Sequence, residues 1–235
     1  MKAAYADVLD ELASRKYLTW SVGDWFFSGM PEVDGVVNVP LRVDCDFDPG
    51  SCLSLAGKLS ELGLNASFFF LRDTPRELVD EVKEMGFEVG LHSDHATREL
   101  DLFVIKDDAE RLGVECVTHH GYLENWYLYR DVSPFMLGLR WHDGCSEYAD
   151  NDFRDLGLWR PPTDKHLTDH MILNNGWNKA PWYPLWVLRN TKQGESLHVV
   201  MHTHFHEYEP RYQLMEWFHR PFVANVYAAK KRWLG

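Results

Sequence analysis

Three aspartates, Asp44, Asp46 and Asp48, close the apolar run "VPLRVDCDFD". His92 closes a second run, with Asp94 and His95 just behind it. His119 and His120 close a third, and "VVMHTHFHEY" carries His202, His204 and His206 out of a fourth. Carboxylates and imidazoles are the donors that hold a divalent transition metal, and the same groups serve as general base and general acid at neutral pH. A cation among them would offset the repulsion between neighbouring aspartates. An EF-hand is excluded, because loop positions six and twelve counted from Asp44 are Pro49 and Leu55 rather than Gly and Glu. A phosphatase built on D-x-D would add Mg²⁺ and further carboxylates. This chain adds imidazoles, which favour Zn²⁺ or a similar metal. Asp48, beside Pro49-Gly50, reads as a turn or cap residue, and His142, His198 and His219 read as structural. "HLTDH" sets His166 and His170 four apart, the spacing of a helical metal pair, but its flanks lack a helical apolar stripe.

The elements that must position these groups alternate. "VPLRVDC" reads as a strand, then a helix capped by Ser51, lined by Leu55, Leu59 and Leu62 and stopped at Gly63. "NASFFFL" is the next strand. Thr74-Pro75 opens a helix with Leu78, Val82 and Met85 on one face and Gly86 as its stop. "FEVGLH", a helix over 97–112 ending at Gly113, and "VECVTHH" follow. Strands starting near residues 41, 65, 87 and 114 indicate repeated strand–helix units and a parallel sheet. In such sheets ligands bind beyond the carboxyl ends of the strands, where the aspartates and histidines lie. "LHVVMHTHF" reads as a late buried strand, with a helix over 210–232 after it. Residues 2–16 read as a helix; 17–37 show no clear period, and 121–196 are Trp-rich without an assignable pattern. Trp126, Trp141, Trp159, Trp177 and Trp182 there suit either sugar stacking or a rim of packed loops.

The 235 residues are 45% hydrophobic and suit one domain: an appendage over 1–37, a barrel over 38–206 and a C-terminal helix over 207–235. A net charge of −12 argues against nucleic acid. Cys45, Cys52, Cys116 and Cys145 form no C-x-x-C pair. The charged N-terminus lacks an apolar signal core, and no run is long enough to span a membrane. The expectation is a soluble, reduced, cytoplasmic protein, its oligomeric state undetermined.

In order and spacing these motifs resemble the polysaccharide deacetylase superfamily, the NodB-homology deacetylases. "LRVDCDFDPG" is similar to their first motif in its D-x-D variant, and "LGLNASFFFL" to the helix end and strand that follow. "EMGFEVGLHSDH" resembles the second motif, and "HVVMHTHF" the last. The match runs over 38–121 and resumes over 197–206. The resemblance implies an α/β fold, a distorted (β/α) barrel of about seven parallel strands. It implies a divalent metal, Zn²⁺ foremost, which acidifies water and polarises an acetamide carbonyl. Asp44 would be the general base, Asp46 and His92 metal ligands, and His202 the general acid, with His204 as the alternative. His92 and His95 have two residues between them where the family has three, and His120-Gly121 resembles a His-Gly of some relatives. Both His95 and His120 therefore stand as third ligand. The family's Arg-x-Pro-x-Gly segment has no clear counterpart; Arg160-Pro161 is the nearest.

The expected activity is metal-dependent hydrolysis of a C–N bond, removing acetyl from an N-acetylated sugar or related acetamide. The substrate would be a small molecule or glycan. Two alternatives are a hydrolase of cyclic amides or phosphoesters on the same fold, and an inactive carbohydrate-binding member.

Overall fold

Valine, leucine and cysteine alternate with Asn38, Pro40, Arg42 and Asp44 along the first long strand, and that alternation sets up the fold. A computed structural model describes residues 5–28, 31, 33–46, 49–93, 102–119, 140–141, 165–168 and 183–203. In chain order the described elements are α1 (Tyr5–Leu12), β1 (Tyr17–Trp20), α2 (Val22–Phe27), β2 (Val37–Cys45), α3 (Pro49–Glu61), β3 (Ser67–Phe70), α4 (Arg76–Glu84) and β4 (Glu88–Ser93). They continue with α5 (Leu102–Leu112), β5 (Cys116–His119), β6 (Arg140–Trp141), β7 (Lys165–Thr168), α6 (Tyr183–Asn190) and β8 (Leu197–His202).

Seven strands pair in the order β6-β5-β4-β3-β2-β8-β7, and β1 adds to β2. Every described pairing is parallel. The expected parallel α/β sheet of about seven strands is therefore present. Among the described residues no pairing joins β6 to β7. The strand–helix units from β2 to β5 step outward in one direction, whereas β8 returns to the other side of β2. β2 thus lies between β3 and β8, and in parallel α/β folds ligands bind beyond the carboxyl ends of such strands.

All nine residues of β2 are buried, so both of its faces are covered. On one face Val37, Val39, Leu41, Val43 and Cys45 join the apolar core, with Phe68 and Phe70 of β3 and Val89 and Leu91 of β4. Helices cover that face through Leu55 and Leu59 of α3, Val79 and Val82 of α4, and Ile105 and Leu112 of α5. The other face belongs to the alternate residues. Register places Arg42 beside Ser67 and Val200, Asp44 beside Phe69 and His202, Phe69 beside Gly90, and His92 beside Thr118. Side chains alternate across a strand, so these residues share one face and leave the apolar core to the other.

The helix stops follow the sequence signals, but Ser51, expected to cap α3, lies inside that helix, which already begins at Pro49. Gly63 and Gly86 take φ of +67° and +93°, the left-handed conformation that lets the chain leave α3 and α4. Residues 17–37, without period in the sequence, hold β1 and α2. The start of α2 is anchored on the sheet: the Val22 amide donates to Ser67 Oγ at 2.7 Å and the Gly23 amide to Glu88 Oε2 at 3.0 Å. Ser67 Oγ also donates to Glu88 Oε2. These contacts bring α2 against the amino ends of β3 and β4, at the opposite end of the sheet from the aspartates. α1 meets α6 through Arg189 and Glu11, whose Nε and Oε2 are 2.8 Å apart, and Lys16 Nζ donates to the carbonyls of Leu188 and Arg189. The N-terminal segment is thereby tied to the rest of the chain. The expected C-terminal helix lies outside the described residues. So do Trp126, Trp159, Trp177 and Trp182; Trp141 falls on β6.

Candidate active site

One residue of β2, one just past its end, and one each from β4 and β8 meet at the carboxyl edge of the sheet. Asp44 is the penultimate residue of β2, and Asp46 follows the strand end. His92 lies at the end of β4, and His202 closes β8 directly beside Asp44 in register. All four are buried. His92 Nε2 lies 3.3 Å from Asp46 Oδ1 and 3.8 Å from Asp44 Oδ2. His202 Nε2 lies 3.6 Å from Asp46 Oδ2 and 3.7 Å from Asp44 Oδ2. Both imidazoles therefore turn Nε2 toward the same pair of carboxylates.

Behind Asp44 stands Arg42, two residues earlier on the same strand face. Its Nε donates to Asp44 Oδ1 at 2.6 Å and its Nη2 to Oδ2 at 2.9 Å. Nη2 is also 3.5 Å from His92 Nδ1. Burial alone would raise the Asp44 carboxyl, but the Arg42 guanidinium, with His92 and His202, outweighs it and holds the group well below its ordinary value. Asp44 is therefore ionised throughout the physiological range. Cys45, on the opposite face, behaves otherwise: burial and a hydrogen bond with Cys52 push its thiol up, which keeps it protonated.

The donor set fits a divalent cation in chemistry and spacing. Nitrogen and oxygen ligands about 2.0–2.2 Å from a tetrahedral metal lie about 3.3–3.6 Å from one another. The 3.3 Å between His92 Nε2 and Asp46 Oδ1 matches that separation. Among the described residues no group of three His, Cys, Asp or Glu side chains forms a ready ligand set. Asp46 and His92 are the oxygen and nitrogen donors whose separation suits two ligands of one cation.

Of the residues singled out in the sequence, Asp44, Asp46, His92 and His202 come together. His95 and His120, the two rivals for third ligand, lie outside the described residues, as do Asp48, Asp94, His204, His206 and Arg160. His119 ends β5, level with Ser93 of β4. His166 lies on strand β7, so the helical pairing with His170 does not form at that position. His198 is buried on β8, as His202 is. Arg42 was missed by the motif reading. Strand alternation carries the signal that finds it, because a residue two before Asp44 must share its face.

No family model matches the chain, and no curated protein matches it. Similar solved structures include three carbohydrate esterases or deacetylases. A family 4 carbohydrate esterase from Streptomyces lividans, in complex with acetate, is 19% identical with a TM-score of 0.43, over 70% of this chain and 78% of that one. A family 4 carbohydrate esterase from Bacillus anthracis is 15% identical with a TM-score of 0.37, over 83% and 75%. The peptidoglycan deacetylase PdaC from Bacillus subtilis is 14% identical with a TM-score of 0.40, over 78% and 96%.

Proposed function

We propose that this chain is a metal-dependent hydrolase that removes acetyl from an N-acetylated sugar or a related acetamide. The observation that carries the reading is the convergence, on the carboxyl edge at β2, of two carboxylates and two imidazoles whose Nε2 atoms stand 3.3–3.8 Å from the carboxylate oxygens. Asp46 and His92 would hold the cation, with His95 or His120 as third ligand, and the mixed oxygen and nitrogen donors favour Zn²⁺. When bound, the metal supplies a Lewis acid that polarises the amide carbonyl and makes water more acidic.

The chain's own groups divide the proton transfers. Asp44, ionised and with Oδ2 turned to the cluster, accepts a proton from the attacking water. Water oxygen bonds to the acetyl carbon, the C–N bond breaks, and His202 Nε2 gives a proton to the departing amine. Acetate and a free amine result. Asp44 and His202 are register partners on adjacent strands, which supports reading them as a base and acid pair.

The test is a panel of N-acetylated mono- and oligosaccharides, read by acetate release, with Asp44→Asn and His202→Ala beside the wild type. The expected result is acetate release by the wild type and a loss of about 10²-fold or more in kcat for each variant. Full activity in Asp44→Asn would contradict the assignment of the base.

A further inference from the structure

Arg42 lies on a strand covered on both faces and is 4% exposed, an uncommon setting for a guanidinium. Its fork meets both oxygens of Asp44, at 2.6 Å and 2.9 Å. The guanidinium carbon lies 5.3 Å from the centroid of the Phe69 ring. Phe69 is itself confined, since a Cβ placed on the neighbouring Gly90 would come within 2.6 Å of its ring. The arginine is therefore held in place by an aromatic face that has little room to move.

We propose that Arg42 is the positioning residue of the Asp44 base, fixing the plane of that carboxylate so that Oδ2 faces His92 and His202. The proposal rests on the hydrolase reading above. A carboxylate turns easily about its last bond, where the torsional preference is broad. Two parallel hydrogen bonds from a planar fork remove that freedom, and a lysine ammonium cannot do the same. The fork engages Oδ1 through Nε and Oδ2 through Nη2, while Oδ2 stays 3.8 Å from His92 Nε2 and 3.7 Å from His202 Nε2. Because both residues sit on one strand face two positions apart, the orientation is built into β2 and needs no loop closure. Stability alone accounts poorly for the pair, because buried ion pairs are often no better than apolar replacements of the same volume. Orientation explains why it is placed against the two imidazoles.

The experiment compares wild type, Arg42→Lys, Arg42→Met, Asp44→Asn and the double variant Arg42→Met/Asp44→Asn on an acetamide that the wild type hydrolyses. A misplacement of about 1 Å in a reacting group can cost about 10²-fold in rate. Arg42→Met should therefore lose about 10²-fold in kcat with KM within about 3-fold, and Arg42→Lys should recover only part of that loss. If Arg42 acts through Asp44, the double variant should turn over no more slowly than Asp44→Asn alone. The double variant leaves neither charge without its partner, which protects the comparison if Arg42→Met folds poorly. A wild-type kcat in Arg42→Met, or a further loss of about 10²-fold on adding it to Asp44→Asn, would overturn the proposal.

A second readout needs no turnover. The Arg42 Nε–Hε resonance should be resolved and slow to exchange in the wild type, and should shift or broaden in Asp44→Asn. If the wild type hydrolyses no acetamide, the hydrolase reading fails, and the resonance decides the fork separately. A resonance unchanged by Asp44→Asn would remove the fork and the proposal with it.

Discussion

A methyl group added at Gly90 should be felt at the active site. Gly90 lies on β4 beside Phe69 and two residues before His92, on the site-bearing face. A Cβ built there would stand 2.6 Å from both Phe69 Cε1 and Cys116 Sγ, about 0.8 Å inside ordinary contact on two sides. Phe69 is fully buried and the Cys116 thiol donates to the Val89 carbonyl, so neither neighbour can simply swing away. Overpacking of this kind costs about 1–3 kcal/mol. For a chain of this size that is a fall in Tm of about 2–12 °C. Urea unfolding of Gly90→Ala should show a lower midpoint with an unchanged slope, since the defect is local. The displaced ring also backs Arg42, so kcat should fall about 10-fold or more with little change in KM. Gly90→Ala/Cys116→Ala, which removes one obstacle, should regain part of the lost stability. A Gly90→Ala protein with wild-type midpoint and kcat would refute the packing chain from β4 to Arg42.

Other outcomes follow from the same contacts. Arg42→Met should cost about 3–5 kcal/mol, because it leaves the Asp44 carboxylate buried without its guanidinium, and Arg42→Met/Asp44→Asn should recover most of it in urea titrations. Since Asp44 is depressed in the folded protein, the stability it contributes is present above the ordinary carboxylate value of 3.8 and fades as pH falls below it. The double variant should lack that part of the acid transition. Glu88→Ala removes the acceptor for the Gly23 amide and Ser67 hydroxyl, and should destabilise by about 1–3 kcal/mol with faster amide exchange at the start of α2. Comparing His95→Ala with His120→Ala by metal affinity should show which one completes the ligand set, as loss of about 10-fold or more in only one of them.

The parts of this fold that could be read from sequence were those where one signal repeated. β2 to β5 and their helices announce themselves by apolar runs, helical spacing and stops at Gly63 and Gly86. β8 is legible for the same reason. "YLTW" and "VGDWFF" are too short and too aromatic to show a period, so β1 and α2 were not visible. β6, β7 and α6 are short pieces within a Trp-rich stretch, where composition overrides periodicity. At the candidate site, Asp44, Asp46, His92 and His202 stand out in the sequence because they lie at the ends of apolar runs. Arg42 does not, because an arginine inside "VPLRVDC" looks like an interruption of the strand. Its role depends on a second polar face of the sheet, and only pairing across strands shows that this face exists.

The most direct test of the central claim is the metal content of the purified wild type beside Asp46→Ala and His92→Ala, measured by elemental analysis after zinc is supplied and excess removed. About one metal ion per wild-type chain is expected, with a large loss in both variants. A wild type that retains no metal, or an Asp46→Ala protein that retains as much as the wild type, would contradict it.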